Sequence, residues 1–306
     1  MQVHFGLGAL SAEWPSAVAC VGTFDGVHLG HQAVIRRAVE RAYGAEQPCI
    51  LVTFDRHPMA TLRPGSQPKS LSSLEDNLRE FARLGVSVAA ILPFDKMLSE
   101  MSADEFLREI LQGRLRASSI VLGHDFAMGK GREGTGSWLS GHLPTEVVPA
   151  FELDGKRVSS TAIRLSVSSG DVEQAETLLG RSYKVSGIVV PGQRLGRELG
   201  FPTANIGRSL DLALPADGVY GGRFCCSEGR YTAAISIGMR PAVNGKTRTL
   251  EAHLLDYPGG SLYGRSCHLE FWKRLRPEWD FPSLEALKEQ ICLDVEQVRG
   301  LEAARL

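Results

Sequence analysis

No apolar run in this chain reaches the ~18 residues that a membrane-crossing helix needs. There is no basic surplus either: 34 Lys and Arg stand against 35 Asp and Glu in 306 residues, a formal net charge of −1. A chain so balanced has no field to draw it onto a nucleic-acid backbone or an anionic lipid surface, and neither is expected as a partner. Cysteine is sparse, and Cys20, Cys49, Cys225, Cys226, Cys267 and Cys292 include no C-x-x-C pair. Adjacent Cys225 and Cys226 would face opposite sides of a strand, a poor arrangement for zinc. Reduced structural thiols in a cytoplasmic protein are the expectation. The opening Met1-Gln2-Val3-His4-Phe5 also lacks the basic region of a secretory leader. What remains, 43% hydrophobic and 23% charged residues, describes an ordinary globular chain. Its length suits two domains, each with its own core. Any phosphate binding must then be local, through loops and helix ends.

Two textures follow one another. In the first half, strand-like runs at Ala17–Gly22, Cys49–Phe54, Val86–Phe94, Ser119–Gly123 and Glu146–Pro149 alternate with helical patterns at His31–Tyr43, Leu74–Leu84 and Ala103–Leu115. Leu74, Leu78, Phe81 and Leu84 keep helical spacing, with Ser72 or Ser73 as the N-cap. Such alternation predicts an α/β domain with a parallel sheet and helices on both faces, its ligand beyond the carboxyl ends of the strands. Helices follow at 161–169 and 171–179, ending at Gly180. Residues 183–275 then hold short apolar runs punctuated by Gly and Pro, an antiparallel sandwich or barrel signature. A last helix, Ser283 to about Arg299, carries Leu284, Leu287, Ile291 and Val295 on one side and should dock on that barrel. The expected domains are 1–182 and 183–306.

The first chemical signal is Gly22-Thr23-Phe24-Asp25-Gly26-Val27-His28-Leu29-Gly30-His31, a loop between a strand and a helix. Helix-start N–H groups stabilise phosphate oxygens, and Gly30 lets a phosphate approach the backbone. The His28 and His31 imidazoles can donate to the charge that develops as an α-phosphate is attacked and pyrophosphate leaves. A metal pair, or two histidines that merely start a helix, is the plainer account. Farther on, Ser159-Ser160-Thr161-Ala162-Ile163-Arg164 sets three hydroxyls ahead of a helix and an arginine on its first turn. An N-cap needs one hydroxyl, whereas a phosphate clamp uses all three with Arg164 bidentate. Two look-alikes are set aside. Gly129-Lys130-Gly131-Arg132-Glu133-Gly134 fits G-x-G-x-x-G but neither follows a strand directly nor clearly opens a helix. Asn244-Gly245-Lys246-Thr247 resembles the end of a P-loop, but Arg240 holds the first glycine position.

The second signal begins with the glycine-spaced loop Gly192, Gly196, Gly200 and continues into Phe201-Pro202-Thr203-Ala204-Asn205. Backbone N–H groups in such a loop can cradle polyphosphate. Thr203 and Asn205 supply hard oxygens suited to magnesium, although a β-turn with satisfied side chains would read the same way. Phosphoryl transfer to an alcohol also needs a base. Glu251 is the candidate: on an alternating strand Leu250, Ala252 and Leu254 share one face, leaving Glu251 and His253 on the other. A solvated strand glutamate is the alternative.

Through GTFDGVHLGHQ, TFDRHP, SADEF, GHDFAMGKGREG, SSTAIR, GDVEQAETLLGRSY, LGRELGFPTANI, DGVYGG, LEAHLLDY, LYG and LR, the chain resembles the bacterial bifunctional riboflavin kinase/FMN adenylyltransferase (FAD synthetase) family over essentially its whole length. The resemblance implies a Rossmann-like nucleotidyltransferase domain followed by a six-stranded antiparallel barrel with riboflavin kinase activity. ATP, riboflavin, FMN and FAD would be substrates or products and Mg2+ the cofactor, in a monomer or weak oligomer. Gly22, Phe24, His28, Gly30, His31, Ser159, Ser160, Thr161 and Arg164 would contact ATP in the first domain, with His57 and Asp125 near FMN. In the barrel, Gly192, Gly196, Gly200, Thr203 and Asn205 would bind magnesium–ATP, Glu251 would be the base, and Arg276 and Phe281 would border the flavin. The chain departs from the family at Arg56, where proline is usual, at Asn77, where lysine is common, and at Ala242, where threonine is frequent. Two rivals stay open at this point: a riboflavin kinase whose first domain has become a flavin or nucleotide sensor, and a non-catalytic flavin carrier.

Overall fold

The computed structural model describes residues 1–9, 14–192, 200–209, 211–242 and 245–305, leaving aside the side chains of 240–242 and 245–247. Contacts divide the chain into two compact lobes, Met1–Ser160 and Thr161–Leu306. Among the described residues no helix is long and apolar enough to cross a membrane.

The first lobe is built on β1 (Gln2–Phe5), β2 (Ala17–Val21), β3 (Cys49–Phe54), β4 (Val88–Leu92), β5 (Ala117–Gly123) and, beyond a small hairpin of β6 (Ala127–Met128) and β7 (Gly134–Thr135), β8 (Thr145–Val148). Six of them form one parallel sheet in the order β1-β4-β3-β2-β5-β8. The five expected strands are present, and β1 joins them at the edge. Strand alternation splits the core in two. Val18, Cys20, Leu51 and Ile91 face α1 (Leu29–Gly44), whereas Ala19, Val21, Ile50 and Val52 face the opposite layer, which includes Phe106 and Ile110. Cys20 and Cys49 belong to the α1 side, and burial pushes the Cys49 thiol up to about 12. All six cysteines are free, in line with structural thiols. From β2 the chain runs to β3 and β4 on one side and later to β5 and β8 on the other. The carboxyl ends of β2 and β5 therefore bound the crevice where the connections diverge, the usual ligand position in such sheets.

The glycine-rich look-alike serves packing. A Cβ at Gly129 would sit 2.5 Å from the Ala103 nitrogen, and the Glu133 carboxylate accepts from that same nitrogen at 2.9 Å. The loop closes over the start of the helix beginning at Ala103.

The second lobe contains β11 (Tyr183–Val190), β12 (Thr203–Gly207), β13 (Gly218–Cys226), β14 (Gly229–Ala242), β15 (Gly245–Leu254) and β16 (Ser266–Arg276), numbered after a short hairpin of β9 (Glu152–Leu153) and β10 (Lys156–Arg157) in the first lobe. They close into an antiparallel barrel in the order β11-β12-β15-β14-β13-β16. Phe271 fills the interior between the buried Tyr183 and Tyr220, whose hydroxyls are satisfied by donating to the carbonyls of Ala213 at 2.8 Å and Ala216 at 2.6 Å. The helices Ser160–Ser169 and Val172–Leu179 precede the barrel, and the second packs on β11 and β16.

The terminal helix, Leu284–Ala303, packs on β13 and β14 with its first turn capped by the Ser283 hydroxyl. Of the apolar stripe read in the sequence, Leu287, Ile291 and Val295 are half-buried against the barrel and Leu284 is 64% exposed, while Asp294 and Val298 are buried on the same side. A charge pair anchors this face. Asp294 meets Arg276 of β16 through contacts of 2.8, 3.0 and 3.1 Å, with side chains only 4% and 9% exposed, and Gln290 adds a bond to the same carboxylate at 3.0 Å. Asp294→Ala should leave Arg276 buried without its counter-ion, costing about 3–5 kcal/mol. Urea unfolding followed by barrel tryptophan fluorescence should show that loss, and an unmoved midpoint would refute it.

Candidate active sites

The loop from β2 to α1 is strained and tethered. Phe24 and Val27 both adopt left-handed backbone, at φ 47° and 41°, which costs a β-branched valine most. Four tethers hold it there. The Asp25 carboxylate accepts from the Leu71 amide at 2.9 and 3.1 Å, and Ser72 Oγ accepts from Gly26 N–H at 3.1 Å. Gln32 donates to the Val27 carbonyl at 3.0 Å, and the Ser160 hydroxyl donates to the Asp25 carbonyl at 3.2 Å. Ser73 caps α3 (Leu74–Arg83), which frees Ser72 for the loop.

His28 is the N-cap of α1: its Nδ1 accepts from the His31 amide at 3.2 Å. An accepting Nδ1 carries no proton, so in the neutral ring the proton resides on Nε2. The His28 and His31 rings stack at 3.6 Å, and Phe24 meets His31 edge-on at 5.4 Å. Gly30 has a role beyond admitting phosphate, because a Cβ there would lie 3.2 Å from the His28 ring. Gly22 makes similar room for Phe24, whose ring would be 2.9 Å from a Cβ. The expected residues Gly22, Phe24, His28, Gly30 and His31 thus form one packed group.

A polar pocket opens beside this loop at the ends of β2 and β3, lined in part by Thr23, Asp25, Arg56, His57, Ser72 and Asn77. His57 repeats the His28 device, capping the helix Pro58–Leu62 by accepting from the Met59 amide at 3.2 Å. Arg56 grips Asp55 at 2.7 Å. Burial works against the Asp55 carboxylate, but the bonds from Arg56 and the Phe94 amide outweigh it and hold its pKa below the usual range. Asn77 accepts from the Ser72 hydroxyl at 2.5 Å and so steadies the Gly26 tether from behind. A lysine, which only donates, could not do this. Asp125 lies elsewhere, on the turn after β5, where it pairs with Arg157. Thr161 and Arg164 sit on the first turn of the helix Ser160–Ser169, directly after Ser159.

In the barrel, Asn205 stands opposite Glu251 across the β12–β15 ladder, and Thr203 stands opposite His253. All four share a face, and Ala204 and Ala252 point the other way. Glu251 is 6% exposed, and its Oε2 accepts from the Thr203 hydroxyl at 3.1 Å. A Cβ at Gly192 would come within 2.1 Å of the Asn205 amide, so glycine leaves the space that Asn205 fills. The Thr203 hydroxyl and the Asn205 amide oxygen are hard donors, and the set suits a small hard cation. Gly200 has φ 89°, and Gly196 lies outside the described residues, as does the Ala242 side chain. Arg276, committed to Asp294, has Trp279 and Phe281 packed on its guanidinium at 5.0 and 5.5 Å. It supports an aromatic border more than it offers free donors. On the barrel wall Cys225, His268 and Glu270 bring ligand atoms within 4.8 Å of one another. Arg230 faces Cys225, while Arg223 and Lys184 face Glu270, so we assign no metal there.

The family model for FAD synthetase matches residues 10–162, and that for riboflavin kinase matches residues 179–301. A relative from Pseudomonas fluorescens, named bifunctional riboflavin kinase/FMN adenylyltransferase, is 38% identical over 99% of this chain and 98% of its own. The namesake from Haemophilus influenzae is 34% identical over 98% and 99%. A solved structure named as a macrolide-efflux protein of Streptococcus pneumoniae superposes with a TM-score of 0.89 at 28% identity, covering 98% of this chain and 99% of that one. With a parallel-sheet lobe, a closed barrel and end-to-end relatives of one composite name, the chain belongs to the bifunctional riboflavin kinase/FMN adenylyltransferase family.

Proposed function

We propose that this chain makes FAD from riboflavin in two steps, FMN being the product of the barrel and the substrate of the parallel-sheet lobe. The observation that carries the reading is Glu251, a buried carboxylate held by the Thr203 hydroxyl and facing Asn205. In the barrel the riboflavin 5′-hydroxyl oxygen attacks the γ-phosphorus of ATP, the bond to the bridging oxygen breaks, and ADP leaves. Glu251 accepts the hydroxyl proton. Thr203 and Asn205 would hold magnesium, which when bound offsets charge on the β- and γ-phosphate oxygens. Gly192, Gly196 and Gly200 supply the phosphate loop, while Arg276 and Phe281 border the flavin.

In the first lobe an FMN phosphate oxygen attacks the α-phosphorus of ATP and pyrophosphate departs. That nucleophile is already an anion, so no carboxylate base is required, only donors. His28 and His31 provide them with the first amides of α1, joined by Ser159, Thr161 and Arg164. Ser160 contributes by securing the loop. His57 and Asp125 border FMN. The functional modules are taken as 1–182 and 183–306, in a cytoplasmic, monomeric or weakly associating enzyme with no nucleic-acid or membrane partner.

A chromatographic time course with riboflavin, ATP and magnesium should show FMN and then FAD, and a parallel reaction from FMN should also give FAD. Glu251→Gln should abolish FMN formation and leave FAD formation from FMN intact; equal loss of both would sink the division of labour. Gly192→Ala should displace Asn205 and slow riboflavin phosphorylation by about tenfold or more, a barrier increase of ~1.4 kcal/mol, with adenylylation untouched. Asn77→Ala should act in the opposite sense, slowing FAD formation from FMN through the loosened Gly26 tether while riboflavin phosphorylation keeps its wild-type rate. A crossed pattern in either variant overturns its assignment.

A further inference from the structure

His253 follows Glu251 by two residues on β15 and so projects from the same face. Its ladder partner on β12 is Thr203, the residue whose hydroxyl reaches Glu251. His253 itself bonds to the backbone just before that residue. Its Nδ1 lies 2.9 Å from the carbonyl oxygen of Pro202, the residue immediately before Thr203, and its ring receives the edge of Phe201 with centroids 5.4 Å apart. A carbonyl only accepts, so Nδ1 must carry the proton here, the reverse of the arrangement at His28 and His57. Pro202 has no amide N–H to anchor it, and the ladder with β15 begins only at Thr203. The imidazole therefore supplies the tether that the backbone lacks just where the chain enters β12.

We propose that His253 is a positioning residue of the phosphoryl-transfer site: by holding the Pro202 carbonyl it sets the entry of β12, and with it the Thr203 oxygen, against Glu251. The proposal rests on the kinase reading of this site. His253 takes no proton from substrate and touches no phosphate. With that tether in place Glu251 keeps its hydroxyl partner, and the oxygens of Thr203 and Asn205 stay together.

Isosteres separate the hydrogen bond from ring packing. The amide nitrogen of asparagine falls where Nδ1 falls, whereas glutamine places its own nearer Nε2. His253→Ala should slow riboflavin phosphorylation by at least about tenfold, with KM for magnesium–ATP raised more than kcat is lowered. His253→Asn should recover most of the loss, His253→Gln should not, and FMN adenylylation should stay at the wild-type rate in all three. Calorimetric titration with magnesium–ADP should give the same ranking without turnover, and urea midpoints of the barrel would identify a variant that merely unfolds. Equal impairment of Ala and Asn, or an unimpaired Ala, overturns the proposal. Wild-type protein that binds magnesium–ADP in the proposed ranking yet leaves riboflavin unphosphorylated would instead overturn the kinase reading and keep the positioning role.

Discussion

Asn205 lies against Gly192 and the Phe24 ring against Gly22 with too little room between them for a methyl group, and the His28 ring lies against Gly30 with little to spare. This close approach of side chain to bare backbone is the constraint on which both sites depend. A site that must present oxygens or ring nitrogens to a polyphosphate needs those groups fixed within a few tenths of an ångström. Packing a side chain flat on backbone removes its alternative rotamers without spending a hydrogen bond that substrate will require. Glycine at these positions is thus a packing element more than a hinge.

Tethers complete what packing begins, and their chemistry differs between the lobes. The β2–α1 loop is pinned through its own carbonyls and amides by Gln32, Ser72 and Ser160, so that backbone strain at Phe24 and Val27 persists. The barrel site is pinned through a regular ladder, with the Thr203 hydroxyl joining two strands at the Glu251 carboxylate. On the proposed assignment of the two sites, the difference follows the nucleophiles. An alcohol must lose a proton and needs a carboxylate set in a rigid strand, while a phosphate arrives deprotonated and needs only donors at a helix start.

The alternation of strands and helices, the antiparallel texture of the second half and the shared face of Glu251 and His253 were legible in the sequence, because period-2 and period-3.6 patterns survive without tertiary context, whereas closure into a barrel rather than a sandwich followed only from the resemblance. So was the β2–α1 loop, through the density of Gly and His. Other features had no local signal. β1 is a short, largely exposed edge strand, and β12 begins in Thr-Ala-Asn, where apolar alternation is absent. Asn77 read only as a departure from a pattern, since its partner Ser72 becomes visible once α3 turns both toward Gly26. The burial of Asp294 in the terminal helix had no local signal for the same reason: its partner on β16 comes eighteen residues earlier in the chain.

The strict two-sidedness of β12 and β15 bears on how such a protein can diverge. Replacing one residue there alters one side chain, but inserting or deleting one exchanges the faces. Thr203, Asn205, Glu251 and His253 would turn into the barrel core, and Leu250, Ala252 and Leu254 would turn out of it. Changes in length are therefore excluded from these strands and confined to the connections between them. What descendants of this chain must inherit unaltered is the count of residues between Thr203 and Asn205, and between Glu251 and His253, before it is the identity of any neighbour.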